Sequence, residues 1–121
     1  MAGCSIINHK GKKIVHMDFS NSNQEEVMST MKQAEALIRN QPPESVLGLL
    51  DISGSMYNKE IAAAFKDFAA GNKPFIKMTA VVGLEGIKKV LYDAVLMFTR
   101  RKNLVAMDSL EKAKDFLAEL K

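Results

Sequence analysis

The sequence predicts a single layered α/β domain with a mixed, mainly parallel sheet and about four helices. Short apolar runs of strand length alternate with amphipathic stretches of helix length, which requires crossover connections and therefore parallel strands. The chain begins differently, with two strand-like runs separated by a tight turn, and this indicates an antiparallel hairpin. With 121 residues, 47% of them hydrophobic, the chain can bury one core, so residues 1–121 are predicted as one domain.

The N-terminal hairpin is predicted over residues 4–8 and 13–19. Gly11, between the two runs, can supply the positive φ that a tight hairpin turn needs. The apolar positions of the second run are Val15, Met17 and Phe19. They alternate with His16 and Asp18, so one face of this strand is predicted to be apolar and the other to face water. We therefore expect His16 on the solvent side.

The next elements are a helix, a buried strand and a second helix. Three residues offer oxygens that could cap the first helix, namely Ser20, Asn21 and Ser22. This helix should stop before Pro42. Residues 46–52 form a continuous apolar run too short for a helix, which is typical of a strand buried on both faces. Asn58 can cap the second helix, and Gly71 suits the left-handed position at its end.

The second half of the chain continues the alternation. Residues 75–82 predict a strand, residues 85–101 a third helix, and residues 104–107 a short last strand. Asp108 and Glu111 form a pair like a capping box ahead of the last helix. Six residues on the facing apolar runs and stripes are expected in the core: Leu49, Leu50, Phe65, Val81, Val82 and Leu117.

Composition and charge argue against several classes of function. The net charge of the chain is only +3. The basic residues of the chain are not interleaved with aromatic residues, so no nucleic-acid partner is expected. No window approaches the roughly 20 apolar residues of a membrane span, so we expect a cytoplasmic protein without an integral membrane segment. Cys4, His9 and His16 have no obvious catalytic partners in sequence, so we expect neither catalysis nor a cofactor.

The segment LLDISGSMYNKE, residues 49–60, places several side-chain oxygens between the buried strand and the second helix. Asp51, Ser53 and Ser55 resemble the metal-binding motif of von Willebrand factor A domains, which would imply a divalent cation held by three oxygens. The later Thr and Asp ligands of that family have no counterpart here. The alternative is a turn, in which Asp51 and Ser53 satisfy backbone amides and Gly54 relaxes the backbone.

A second resemblance covers nearly the whole chain. The order of elements and the segments VLGLLDISG, TAVVG and NLVAMDSLEKAKDFLAEL resemble the SpoIIAA-like branch of the STAS fold, the fold of bacterial anti-sigma factor antagonists. The resemblance implies a non-catalytic regulatory module that binds a protein partner, with a homodimer as a further expectation. It also leaves an alternative, a small apolar ligand or lipid bound in a cleft between the helices and the sheet.

The resemblance further raises the question of a phosphoserine switch. Antagonists of this family are switched by phosphorylation of a serine in a turn at the N-terminus of a helix. The candidate phosphorylation or binding turn comprises Ser53, Ser55 and Asn58. Ser53 would be the acceptor if residues 51–54 occupied that turn. In the alignment that we favour, LLDISG is the strand end and the phosphoacceptor turn falls near Asn58, where no serine stands, so we expect no switch.

Overall fold

Five strands form one sheet, and three α-helices pack on it, within the residues that this computed structural model describes. Those residues are 3–84, 89, 92–93 and 103–120. The strands are β1 (Gly3–His9), β2 (Lys12–Asp18), β3 (Val46–Asp51), β4 (Ile76–Val82) and β5 (Leu104–Met107). The helices are α1 (Gln24–Ile38), α2 (Lys59–Asn72) and α3 (Leu110–Ala118), with a 3₁₀ turn at Lys73–Phe75. The helix predicted over residues 85–101 lies outside the described residues, apart from Lys89, Tyr92 and Asp93.

The strands lie side by side in chain order, β1-β2-β3-β4-β5. β1 pairs antiparallel with β2, and the remaining neighbours pair in parallel. Lys10 and Gly11, the two central residues of the hairpin turn, have φ of +51° and +83°. Positive φ at both positions is the geometry that matches the twist of the flanking strands. The predicted mixed, mainly parallel sheet with an N-terminal hairpin is confirmed.

Helices cover both faces of the sheet. α1 and α2 pack on one face, around three aromatic rings whose centroids lie 5.2 to 6.4 Å apart in edge-to-face contact: Phe19, Phe65 and Phe68. α3 packs on the other face through Ala113 and Leu117. Five of the six predicted core residues are buried. The prediction for Leu50 is wrong, because this side chain is half-buried and lines a cavity beside α2.

The prediction that one face of β2 is exposed to solvent is also wrong. Ile14, on the same face of β2 as His16, is fully buried in the cluster that includes Leu117 of α3. His16 itself is half-buried, and its Nε2 is buried without a hydrogen-bond partner among the described residues. The alternation in the sequence distinguished two faces correctly, but it could not show that a distant helix covers the second one.

The helix caps differ in part from the predicted residues. α1 is capped by Asn23, whose Oδ1 accepts from the Glu26 amide at 2.9 Å, while Glu26 Oε1 accepts from the Asn23 amide at 3.0 Å. This reciprocal pair replaces the predicted caps Ser20, Asn21 and Ser22. Asn58 caps α2 as predicted, accepting from the Ile61 amide at 2.8 Å. α3 is capped by Ser109 rather than Asp108.

Gly71 does not end α2 as predicted, because the helix continues to Asn72. A Cβ added at Gly71 would collide with Nη2 of Arg39. The Arg39 side chain crosses α2 there, and its Nε donates to Asn72 Oδ1 at 3.0 Å. The glycine therefore makes room for a contact between the end of α1 and the end of α2.

The hairpin is fastened to α3 by a small charged cluster. Asp115 Oδ1 lies 2.8 Å from His9 Nε2 and 3.0 Å from Lys10 Nζ. Lys12 Nζ donates to the Leu120 carbonyl at 3.0 Å. The hydrogen bond from His9, followed by that from Lys10, lowers the pKa of the Asp115 carboxyl.

We expect Asp115→Asn to remove part of the acid sensitivity of this protein. A carboxyl group whose pKa is lowered by folding stabilises the folded state above its unfolded pKa, and that contribution is lost as the pH falls through the folded value. The free energy of unfolding, measured by urea denaturation from pH 7 to below about 3.9, should therefore fall less steeply in the variant. Asp67→Asn, an exposed position on α2, is the control and should follow the wild type.

Candidate functional site

The loops that follow β2, β3 and β4 meet at one edge of the sheet. The carboxyl ends of parallel strands are the usual place for binding sites in α/β folds. The loop after β3, residues 52–58, occupies the middle of this edge and carries all three of the predicted site residues, Ser53, Ser55 and Asn58.

The first part of this loop is a tight turn. Asp51 is 7% exposed, and its Oδ1 accepts from the Ser53 amide at 2.9 Å. The Ser55 amide donates to the Ile52 carbonyl at 3.1 Å, and Gly54 has φ of +67°. Asp51 and Gly54 therefore have the roles that the turn hypothesis predicted. Ser53 contributes through its backbone, because its carbonyl accepts from the Asn21 amide at 2.9 Å.

This geometry offers little to a metal ion. One oxygen of Asp51 is already used by the turn, and the Ser53 side chain packs against Gly83 at the end of β4. Within the described ranges, no group of three or more His, Cys, Asp or Glu side chains could hold a cation. Hard divalent cations require six or more oxygen ligands, so most of the ligands would have to come from groups outside this loop.

Ser53 and Ser55 are both half-buried. An ideal Cβ at Gly83 would collide with Ser53 Oγ and would lie 2.5 Å from the Ser53 amide nitrogen, which shows how closely the two backbones approach. Ser55 lies on the wall of an apolar cavity. Neither serine is the residue at the N-terminus of α2, because Asn58 holds that position.

The N-termini of α1 and α2 are tied together. Asn58 Nδ2 donates to Gln24 Oε1 at 2.6 Å, and Gln24 Nε2 donates to Glu60 Oε2 at 2.8 Å. The Met56 amide donates to the Ser22 carbonyl at 2.9 Å, which joins the two preceding loops. The edge of the sheet therefore presents one continuous, hydrogen-bonded surface.

We call this the Met56 surface and define it by its exposed residues: Asn21, Gly54, Met56, Lys59 and Glu60. The Met56 side chain is 46% exposed, and with Ile6 at 45% it is one of two large exposed hydrophobic residues in the described part of the chain. Acidic side chains lie in the first turns of both adjoining helices, Glu25 and Glu26 in α1 and Glu60 in α2. This surface could not be predicted from the sequence, because no local pattern shows that a methionine stays exposed.

An apolar cavity of about 70 Å³ lies behind the Met56 surface, between α2 and the sheet. Its walls include Leu50 and Val81 from the sheet and Phe65 from the inner face of α2. Met56 and Tyr57, from the loop after β3, also line it. A cleft between helices and sheet was one of the predicted alternatives, but its lining residues come from five or more separate segments, so the sequence could not specify them.

The residues considered for catalysis are divided between the two faces of the sheet. Cys4 packs toward the α1–α2 face, and burial raises the pKa of its thiol to about 11, which keeps it protonated near neutral pH. His9 contacts α3 through Asp115, and His16 lies on the face that α3 covers. No helix within the described ranges is long and apolar enough to cross a bilayer.

The fold of the chain, unlike its sequence, matches a known protein. No protein-family model and no curated protein sequence matches the chain. In structure, the chain is similar to an anti-sigma-factor antagonist (STAS) domain protein from Planctomyces limnophilus, with a TM-score of 0.63 and 12% sequence identity. The similarity covers 98% of this chain and 100% of that one. The predicted STAS-like fold is confirmed, and at this identity the likeness concerns the fold.

Proposed function

We propose that this chain is a non-catalytic regulatory module of the cytoplasm that binds a protein partner through the Met56 surface. One observation carries the proposal: Met56 is exposed at a position fixed by hydrogen bonds between two helix N-termini. Methionine is enriched at protein interfaces, because its flexible, polarisable side chain fits many surfaces. The STAS-like fold, which the chain shares with an anti-sigma-factor antagonist domain protein, supports the same class of function.

The charges around Met56 indicate what kind of partner would fit. Glu25, Glu26 and Glu60 outnumber Lys59 in the first turns of α1 and α2. Complementary charge steers partners together and fixes their orientation. We therefore expect a partner protein with an apolar pocket that receives Met56 and with basic side chains that face these three glutamates.

Affinity capture from the native host's lysate tests this function with three baits, the wild type, Met56→Glu and Ile6→Glu. The expected result is a stoichiometric protein partner that is retained by the wild type and Ile6→Glu and lost from Met56→Glu. Ile6 is the matched control, because it is a large hydrophobic residue of nearly equal exposure on β1. Loss of the partner from Ile6→Glu alone would contradict the proposal. Native mass spectrometry of the purified protein shows whether a second copy is the partner.

We also propose that this surface works without a phosphoserine switch. Asn58 occupies the N-cap of α2, and the two nearby serines are half-buried. Phosphopeptide mapping of protein isolated from its native host should find no substantial phosphate on Ser53 or Ser55. Phosphate on either serine, together with loss of the partner, would make the protein a switched antagonist after all.

Replacing Ser53 by Asp should lower the free energy of unfolding. The added carboxylate would approach both the buried Asp51 and the backbone at Gly83, where there is no space for it. Ser53→Ala keeps the backbone hydrogen bonds of the turn and should leave stability and partner binding nearly unchanged. Urea denaturation of both variants checks the difference, and a Ser53→Asp variant as stable as the wild type would contradict it.

A second candidate function is binding of a small apolar ligand, and the cavity behind Met56 favours it. Mass spectrometry of protein purified from its host, under native and denaturing conditions, is the direct test. A mass increment that disappears on denaturation and partitions into organic solvent would support ligand binding. Its absence from protein isolated under native conditions would count against it.

A further inference from the structure

We infer that the apolar cavity controls the Met56 surface, so that a small apolar group entering the cavity changes the affinity of the surface for its partner. This inference rests on the proposed protein-binding function and adds a means of regulation to it. It connects the two candidate functions, because binding of the ligand would regulate binding of the protein partner.

The cavity and the Met56 surface share the side chain of Met56. Met56 is 46% exposed to solvent, yet it also lines the cavity. Its neighbours Ser55 and Tyr57 line the cavity as well. Ile61, in the first turn of α2, is another lining residue, and its amide is held by the cap residue Asn58. A group inside the cavity would therefore contact Met56, whose exposed side a partner would meet, and the residues next to it in the chain.

The backbone around these side chains is held in place. The Met56 amide is bonded to the Ser22 carbonyl at 2.9 Å, and Asn58 is bonded to Gln24 at 2.6 Å. The side chains of Met56 and Tyr57 are therefore the parts that can respond to a group in the cavity. Methionine has three rotatable bonds and repacks readily, so occupancy of the cavity would alter how Met56 projects from the surface.

The size and lining of the cavity define the class of ligand. A volume of about 70 Å³ is roughly half that of the 150 Å³ engineered apolar cavity that binds benzene or xenon. The ligand is therefore a small apolar molecule or the terminal carbons of an alkyl chain. Ser55 and Tyr57, which each carry a hydroxyl, are among the lining residues, so a chain that ends in a hydroxyl or similar group is compatible with the cavity.

Methyl NMR of protein labelled at methionine provides the first part of the test, with xenon and 1-propanol as probes small enough for the cavity. Met17 and Met56 line the cavity, whereas Met78 packs on the face covered by α3. Both probes should shift the signals of Met17 and Met56 in a saturable way and leave Met78 unchanged. A saturable shift at Met17 without one at Met56 would overturn the coupling, and no shift at either would overturn the ligand site.

A variant that fills the cavity separates binding from nonspecific effects. Ala69 lines the cavity, while Ala63 is exposed on the same helix. Ala69→Leu should abolish the probe-induced shifts, and Ala63→Leu should retain them. An unchanged Met78 signal and circular dichroism spectrum show that each variant is folded. Shifts that persist unchanged in folded Ala69→Leu would contradict this location of the site.

The second part of the test measures the dissociation constant of the captured partner with and without 1-propanol. Coupling between sites is typically at least about fivefold, so we expect a change of that size for the wild type and for Ala63→Leu, and none for Ala69→Leu. An unchanged constant despite saturable methyl shifts would overturn the inference while leaving the partner surface intact. Failure to capture a partner would instead count against the proposed function, and the methyl shifts would still decide whether the cavity acts on Met56.

Discussion

Replacing Phe65 by alanine should lower the free energy of unfolding by about 3–5 kcal/mol. Phe65 is buried on the inner face of α2, and its ring meets those of Phe19 and Phe68 edge to face. Truncation removes apolar area from the core and also two aromatic contacts, each worth about 0.5–1.5 kcal/mol. Urea denaturation monitored by circular dichroism gives the change in free energy.

Leu50→Ala is the comparison for this prediction. Leu50 is only half-buried, whereas Phe65 is buried, so truncation of Leu50 should cost less, about 1–2 kcal/mol. A cost below about 0.5 kcal/mol at Phe65 would show that α2 does not pack on the sheet as described, because such values are typical of surface positions.

Replacing Gly83 by alanine should have an effect of similar size, about 3 kcal/mol or more, because a conformational cost and a steric one add. Gly83 has φ of +90°, a conformation that costs other residues about 1–2 kcal/mol. A Cβ there would also lie 2.5 Å from the Ser53 nitrogen and 2.8 Å from its Cα. These are backbone atoms, so the loops after β3 and β4 would have to separate. Urea denaturation of Gly83→Ala measures the loss.

Gly11 offers a matched control for Gly83. It has a similar φ of +83°, but a Cβ at Gly11 would have no heavy atom within 4 Å. Gly11→Ala should therefore cost only the conformational term, about 1–2 kcal/mol. Equal effects at the two glycines would show that the close approach between Gly83 and Ser53 is not important for stability.

The sheet and its helices could be predicted because their signals are local. The apolar run at residues 46–52 predicted β3, and Asn58 predicted the start of α2. Both signals depend on neighbouring residues alone. Asn23 was missed as the cap of α1 because Ser20, Asn21 and Ser22 are equally good caps in isolation. Phe19 and Ser22 instead bond within the loop after β2, and this loop decides where the helix begins.

Features that depend on contacts between distant segments could not be predicted. His16 was expected to face solvent, but α3, about 100 residues later, covers its face. Gly71 was expected to end α2, but it makes room for Arg39 from α1. The exposure of Met56 and the cavity behind it follow from the packing of α2 on the sheet, which no pattern of spacing records.

The most direct test of the partner-binding surface is the dissociation constant of the purified partner for the wild type, Met56→Glu and Ile6→Glu, measured by calorimetry at one salt concentration. Loss of an anchor residue that fills a socket commonly costs about 2 kcal/mol or more, which is about a 30-fold weaker affinity. We predict at least that loss for Met56→Glu and less than a threefold change, about 0.6 kcal/mol, for Ile6→Glu. Equal affinities for Met56→Glu and the wild type would contradict the proposal that this surface binds the partner.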